Sequence, residues 1–102
     1  MYAAIRRYNI APGTAEVIIQ RVNEDYLPLL GQTPGLVAYY VIDPGDGTIV
    51  SVSIFEDRAG AEASTRVATE WARQHLNPML RTAPVIVTGA VAIQTSASTP
   101  MQ

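Results

Sequence analysis

The chain has no cysteine and no lysine; all seven of its basic residues are arginine. Lacking cysteine, it has no disulfide framework and no thiolate nucleophile. Lacking lysine, it has neither a Schiff-base amine nor the phosphate-binding lysine of a P-loop. The only histidine is His75, so one chain cannot assemble a multi-histidine metal site, and the nine carboxylates show no metal-loop spacing. No metal and no bound cofactor are expected. No Gly-x-Gly-x-x-Gly follows a strand-like segment, and 102 residues are too few for a dinucleotide domain plus a substrate domain. A formal charge of −2 without any basic run leaves no footprint for nucleic acid. The apolar runs are strand-sized and no charged, apolar, small-residue leader is visible. Neither a membrane span nor a signal peptide is therefore expected, and the cytoplasm is the expected compartment.

What the chain does have is an ordered succession of hydrophobic periods, with 48% hydrophobic residues, enough for one core. Tyr2 to Ile10 alternates, placing Tyr2, Ala4, Arg6 and Tyr8 on one side and Ala3, Ile5, Arg7 and Asn9 on the other. Pro12-Gly13 ends this strand. Thr14 reads as an N-cap, and Val17 or Ile18, Val22, Tyr26 and Leu29 then recur at helical spacing to about Leu30. Pro28 removes an amide donor and should bend or end that helix. Leu36 to Ile42 is a continuous apolar run, which predicts a strand buried on both faces. Asp43-Pro44-Gly45-Asp46-Gly47 concentrates turn formers, so this strand and Thr48 to Glu56 form a hairpin. In the second of the two, Val50, Val52 and Ile54 point one way and Ser51 and Ser53 the other. Asp57 caps a second helix that runs to about Asn77 and is closed by Pro78. Its predicted buried stripe is Val67, Trp71 and His75, with Ala68, Ala72 and Leu76 beside them. Val85 to Ile93 is the last strand, where Gly89 marks a bulge or a close approach of another backbone or a ligand. Residues 1–94 thus form one domain. Residues 95–102 are a Ser/Thr/Pro-rich tail, expected to be mobile or laid across a partner.

The order β-α-β-β-α-β, with right-handed crossovers, predicts an α+β ferredoxin-like plait: a four-stranded antiparallel sheet with two helices on one face. The other face would then expose apolar side chains over all four strands, more than a monomer ordinarily tolerates. A homodimer through the open sheet face, forming a dimeric α/β barrel, is the expected solution. In this the chain resembles the dimeric α/β-barrel superfamily, and within it the antibiotic biosynthesis monooxygenase-like domains. The resemblance covers Tyr2 to Ile93. It rests on the opening strand followed by Pro12-Gly13-Thr14, on Pro34-Gly35-Leu36, on Phe55-Glu56-Asp57 before the second helix, and on the last strand with Gly89. It implies an aromatic or polyketide-like small-molecule ligand held between helices and sheet. Some members oxygenate such a molecule without metal or flavin; others degrade haem with a Trp and a His on this helix and an Asn on the first strand. Here the Trp-to-His spacing is shorter and Arg6 stands in place of that Asn, so haem degradation is not carried over.

Trp71 and His75 lie one turn apart on the second helix, which suits a pocket wall and a base. They equally suit a core anchor and a helix-end residue near the C-terminal dipole. Arg6 and Tyr8 share a strand face, where an arginine can hold a carboxylate or enolate and a tyrosine can donate to a quinone-like oxygen; an intersubunit ion pair is the competing use of Arg6. Tyr39 and Tyr40 point to opposite faces, so only one can line a given cavity. Ser51 and Ser53 either hydrogen-bond a ligand or reduce bulk where two sheets meet. The expected catalytic set is therefore His75, Arg6 and Tyr8, and the substrate-binding set Trp71, Tyr39, Ser51, Ser53 and Val67. Cofactor-independent oxygenation is the leading reading. A non-catalytic binding or sensing dimer, and a small-lactone isomerase or lyase, are the alternatives.

Overall fold

Turn chemistry and caps set the ends of the elements in the computed structural model, which describes residues 1–97. Four strands, β1 (Tyr2–Asn9), β2 (Leu36–Ile42), β3 (Thr48–Phe55) and β4 (Val85–Ala90), form one antiparallel sheet in the order β2-β3-β1-β4. Between β2 and β3, Asp43 Oδ1 accepts the Gly45 amide at 3.0 Å and Asp46 Oδ1 accepts the Thr48 amide at 3.2 Å. Gly45 and Gly47 both take positive φ there, a conformation that strains any side chain. The expected α+β plait is the observed fold, with shorter strand ends: β1 stops at Asn9, β3 at Phe55 and β4 at Ala90.

The first helical stretch has three parts: α1 (Ala15–Arg21), a π-helical turn (Val22–Tyr26) and α2 (Leu27–Leu30). The wide turn has a cause in the sequence. Pro28 has no amide to give the carbonyl four residues back, and its ring crowds that carbonyl. The chain opens instead, and the Leu27 amide bonds Val22 O, five residues back. Pro28 therefore widens the helix rather than ending it. The buried stripe is Ile18, Val22, Tyr26 and Leu30: Ile18 is the buried one of the two expected alternatives, and after the wide turn Leu30 takes the place expected of Leu29. Thr14 occupies the N-cap position but makes no capping bond; its hydroxyl donates to Ala11 O at 2.6 Å.

Asp57 does cap α3 (Arg58–His75), accepting the Gly60 amide at 2.9 Å. Pro78 follows within a short 3-10 turn, Asn77–Met79. The buried residues of α3 are Ala61, Ser64, Ala68, Trp71 and Ala72, with Leu76 just beyond. Small side chains recurring at three- and four-residue spacing let α3 sit close to the sheet, and Val67 and His75 fall on its exposed flank. Both helical stretches pack with Ile49 and Phe55 in one core beneath them.

Strand registers sort the sheet into rows. Under the helices run Val41–Ser51–Arg6–Ile86 and Tyr39–Ser53–Ala4–Thr88. On the bare side run Tyr40–Val52–Ile5–Val87, Ile42–Val50–Arg7–Val85 and Ala38–Ile54–Ala3–Gly89. Ser51 and Ser53 thus lie under the helices and not on the bare face. A register shift between Leu36 and Ala38 puts Leu36 on the helix side together with Tyr39 and Val41. The expectation that β2 is buried on both faces is not met within one chain. It is an edge strand, and Tyr40 and Ile42 on its bare side are exposed. Gly89 sits in an unbroken β4 register, and a Cβ there would meet nothing within 4 Å in this chain. No helix among the described residues is long and apolar enough to cross a membrane. Of the expected tail, residues 98–102 lie outside the described residues.

Candidate functional site

Arg6 is the least expected occupant of the covered face. It is 1% exposed. Its Nη1 donates to Ser53 Oγ at 3.3 Å and its Nη2 to Thr65 Oγ1 at 2.8 Å, so β3 and α3 each hold one end of the guanidinium. Thr65 in turn donates to Ala61 O at 3.0 Å, and Ser53 makes a long bond of 3.5 Å to Ala4 O. Every one of these partners is neutral. All nine carboxylates of the chain are exposed, so no buried anion balances the cation. An ion taken out of water costs several kcal/mol even after relaxation, which makes an uncompensated one conspicuous. Two polar atoms here are buried without a hydrogen-bond partner among the described residues: Arg6 Nε and the Tyr26 hydroxyl.

Both atoms belong to residues that line one cavity between the helices and the sheet. Arg6, Tyr8, Tyr39 and Ser51 form its sheet side, and Tyr26, Trp71, Ile18, Val22, Ala68, Ala72 and Leu76 its helix side, with Ile49, Val41 and Leu80 completing it. The rings pack on one another: Tyr26 lies 5.7 Å from Tyr39 and 5.3 Å from Trp71, centroid to centroid. The void they leave is about 30 Å3, room for a water molecule or two. Two surface clefts flank it. One, of about 250 Å3, shares Val22, Tyr39 and Val41 with the cavity; the other, of about 430 Å3, shares Tyr8, Ala72 and Leu80. A single layer of side chains therefore separates the void from solvent on two sides.

Burial pushes the Tyr8, Tyr26 and Tyr39 phenols above the ordinary tyrosine value, against the opposing pull of the Arg6 charge. At neutral pH the cavity thus offers phenol O–H groups and one permanent cation. It offers no general base, since a protonated phenol and a guanidinium are both donors.

Of the residues singled out from the sequence, the fold brings Arg6, Tyr8, Tyr39, Ser51 and Trp71 together on one cavity. Ser53 stands behind Arg6 as a hydrogen-bond acceptor and is not part of the lining. Val67, 40% exposed, is outside it. His75 is also outside: it is exposed, its ring packs 5.2 Å from that of Trp71, and its carbonyl accepts Arg21 Nη1 at 2.7 Å. Arg7 points to the bare face, which settles which of the two neighbouring arginines enters the core. Sequence reasoning missed Thr65, although Ser64-Thr65 stands out as a hydroxyl pair in an alanine-rich helix. It assigned Tyr26 to the apolar stripe alone and so passed over its hydroxyl.

A haem does not fit this arrangement. The one imidazole of the chain lies outside the lining, so the cavity has no histidine to offer a haem iron.

No protein-family model matches the chain, and no curated protein matches it in sequence. Solved structures do. The NE2512 protein of unknown function from Nitrosomonas europaea superposes with a TM-score of 0.79 at 20% identity, over 95% of this chain and 94% of that one. The ActVA-Orf6 monooxygenase of Streptomyces coelicolor, in complex with nanaomycin D, gives 0.75 at 16%, over 95% and 92%. A variant of MhuD with two manganese protoporphyrin IX groups per active site gives 0.72 at 15%, over 95% and 100%. At such identities the likeness is one of fold: the chain has the ferredoxin-like fold of antibiotic biosynthesis monooxygenases.

Proposed function

We propose that this protein is a cofactor-independent monooxygenase of aromatic or polyketide-like molecules, working as a cytoplasmic homodimer joined through the bare sheet face. The observation that carries the reading is the cavity itself, with aromatic walls and a sheet side bearing Arg6, Tyr8 and Ser51. The monooxygenase of the same fold seen with nanaomycin D supports a ligand of this class.

The reaction such a site can run asks little of a protein. An activated ring methylene loses a proton, and the resulting carbanion passes its electrons to oxygen in a dry pocket. In balance, CH2 and O2 become C=O and H2O, and the substrate supplies all four electrons. Arg6 and Tyr8 would face the reacting oxygen function; Trp71, Tyr39 and Ser51 would hold the rings. The proton has no acceptor within the lining, so His75, stacked on Trp71 at the edge, is the proposed relay. An aromatic ligand exceeds the present void, so Tyr39 must swing outward and join the cavity to the cleft it shares near α2. That same small void favours a second reading, a binding or sensing dimer that opens for its ligand without altering it.

Oxygen consumption by the purified protein over a panel of anthrones, hydroquinones and catechols separates the two. Saturable uptake that falls at least tenfold in Arg6→Gln, and in His75→Ala by less, is the expected result. Saturable binding with a flat oxygen trace across the panel would leave the binder.

A further inference from the structure

We infer that the cavity takes its ligand as an anion, with a ring-conjugated oxyanion seated between Arg6 Nε and the Tyr26 hydroxyl. This rests on the reading above only in that the ligand occupies the same cavity.

The first ground is charge. Arg6 is buried to 1% exposure, the hydroxyls that hold it are neutral, and every Asp and Glu side chain faces solvent. A polar core arginine kept for structure would ordinarily have a buried carboxylate against it, because neutral acceptors do not offset a full charge. The second ground is direction. Ser53 and Thr65 fix the two terminal nitrogens from opposite elements, and Nε is left as the one guanidinium nitrogen without a partner. Tyr26, 3% exposed and lining the same cavity, has a hydroxyl with the same deficit. Two unsatisfied buried donors are costly apart, and a single oxygen with spare lone pairs can satisfy both. An anionic oxygen does so and neutralises the cation as well. The third ground is shape. Trp71, Tyr39 and Tyr26 supply ring faces around the two donors, which suits a flat ligand bearing its charge on a ring substituent. Val22 and Tyr26, four residues apart at the two ends of the π-helical turn, both line the cavity.

The shared chemistry can come from a carboxylate or from an ionised phenol or enol, and the test has an arm for each. Titration calorimetry compares 2-naphthoate with its neutral isostere 2-naphthamide. In parallel, absorbance follows the pH at which bound 2-naphthol ionises. We expect naphthoate to bind roughly tenfold or more tightly than naphthamide, as a charge-assisted hydrogen bond commands. Alternatively or in addition, bound naphthol ionises about one pH unit lower than free naphthol. A preference confined to naphthoate identifies a carboxylate ligand, and a shift confined to naphthol identifies a phenolate; each supports the inference. Both effects should vanish in Arg6→Gln and shrink in Tyr26→Phe. The wild-type comparison needs no variant, so it stands even if Arg6→Gln fails to fold. Equal binding of naphthoate and naphthamide together with an unshifted naphthol would overturn the anion while leaving an aromatic pocket in place. No binding of any of the three would overturn the pocket reading and this inference together.

Discussion

The two faces of the sheet are dressed the wrong way round for a monomer. Beneath the helices, where water is excluded, the central rows of β1 and β3 carry Arg6, Tyr8, Ser51 and Ser53. On the bare side the same two strands carry Ile5, Val50, Val52 and Ile54, and the neighbouring strands add Tyr40, 58% exposed, and Val87, 60% exposed. Alternation along a strand ordinarily puts apolar residues inward and polar ones outward. Inverting it carries a cost on both faces, from buried polar groups on one and wetted hydrocarbon on the other. The inversion makes physical sense when the covered face is a binding chamber and the bare face is a contact surface. Both faces have exceptions that fit this division. Phe55 and Ile49 anchor the covered face at the core, and Arg7 is the single charge among the bare rows.

The largest effect is expected where the bare face is given a charge. Val52 stands in the row Tyr40–Val52–Ile5–Val87 at the middle of the sheet. By sedimentation, the wild-type protein should run at twice the 11.0 kDa of one chain, and Val52→Glu at 11.0 kDa, with dimer affinity weakened on the order of a thousandfold. A wild-type monomer would remove the contact-surface half of the comparison.

The covered face should respond in the opposite sense when its charge is taken away. Replacing a buried ion pair by apolar side chains of similar volume is often neutral or stabilising by about 1 to 4 kcal/mol, and a buried cation with no anion beside it lacks even the pair's mutual attraction. Arg6→Met should therefore raise the melting temperature while abolishing activity, the signature of a residue kept for function at the expense of stability. A lower melting temperature would instead mean that the guanidinium chiefly ties α3 to the sheet. Thr65→Val probes the same network more gently. It strips Arg6 Nη2 of its acceptor and should cost about 1 to 3 kcal/mol in a chemical denaturation curve. In an Arg6→Met background the same substitution should cost far less, because the pair acts as one unit.

How much of this was legible in the chain follows the range of the forces involved. The strand alternation, the turn formers at Asp43 to Gly47 and the Asp57 cap are local, and they gave the plait and its element order. Which strand face meets the helices is a tertiary fact. Alternation alone sets Arg6 opposite Arg7 without saying which is inside, and the choice comes from the helix stripes that settle over Ile49 and Phe55. The stripe of α3 was misplaced at two positions for a related reason: Trp71, Ala68, Ala72 and Leu76 are buried as expected, but Val67 and His75 are exposed, and the inward face is completed instead by the small residues Ala61 and Ser64. Tyr26 escaped because a tyrosine in an apolar stripe reads as packing, and nothing in the sequence shows that its hydroxyl ends without a partner. Gly60 escaped too. A Cβ there would sit 3.0 Å from Pro34 O and 3.1 Å from Phe55 Cδ1, a close approach between segments far apart in sequence.

The gentlest way to test the inversion is to titrate it. Tyr8, Tyr26 and Tyr39 are three phenols of the covered side whose burial holds their pKa values above the ordinary 10.0. A raised folded-state value means that the folded chain keeps these protons longer than the unfolded one. Their contribution is thus fully present below pH 10 and is lost as pH rises from there through the folded values. The urea midpoint should accordingly stay level in this respect up to about pH 10 and fall beyond it, each phenol adding to the slope. Tyr39→Phe should make the fall shallower, because a ring with no proton to lose removes one of the three terms. If the midpoint stays level to pH 12, or if Tyr39→Phe changes nothing, these hydroxyls ionise as freely in the fold as in the unfolded chain. The covered face would then be wetter than its geometry implies, and the contrast between the two faces would reduce to the apolar one alone.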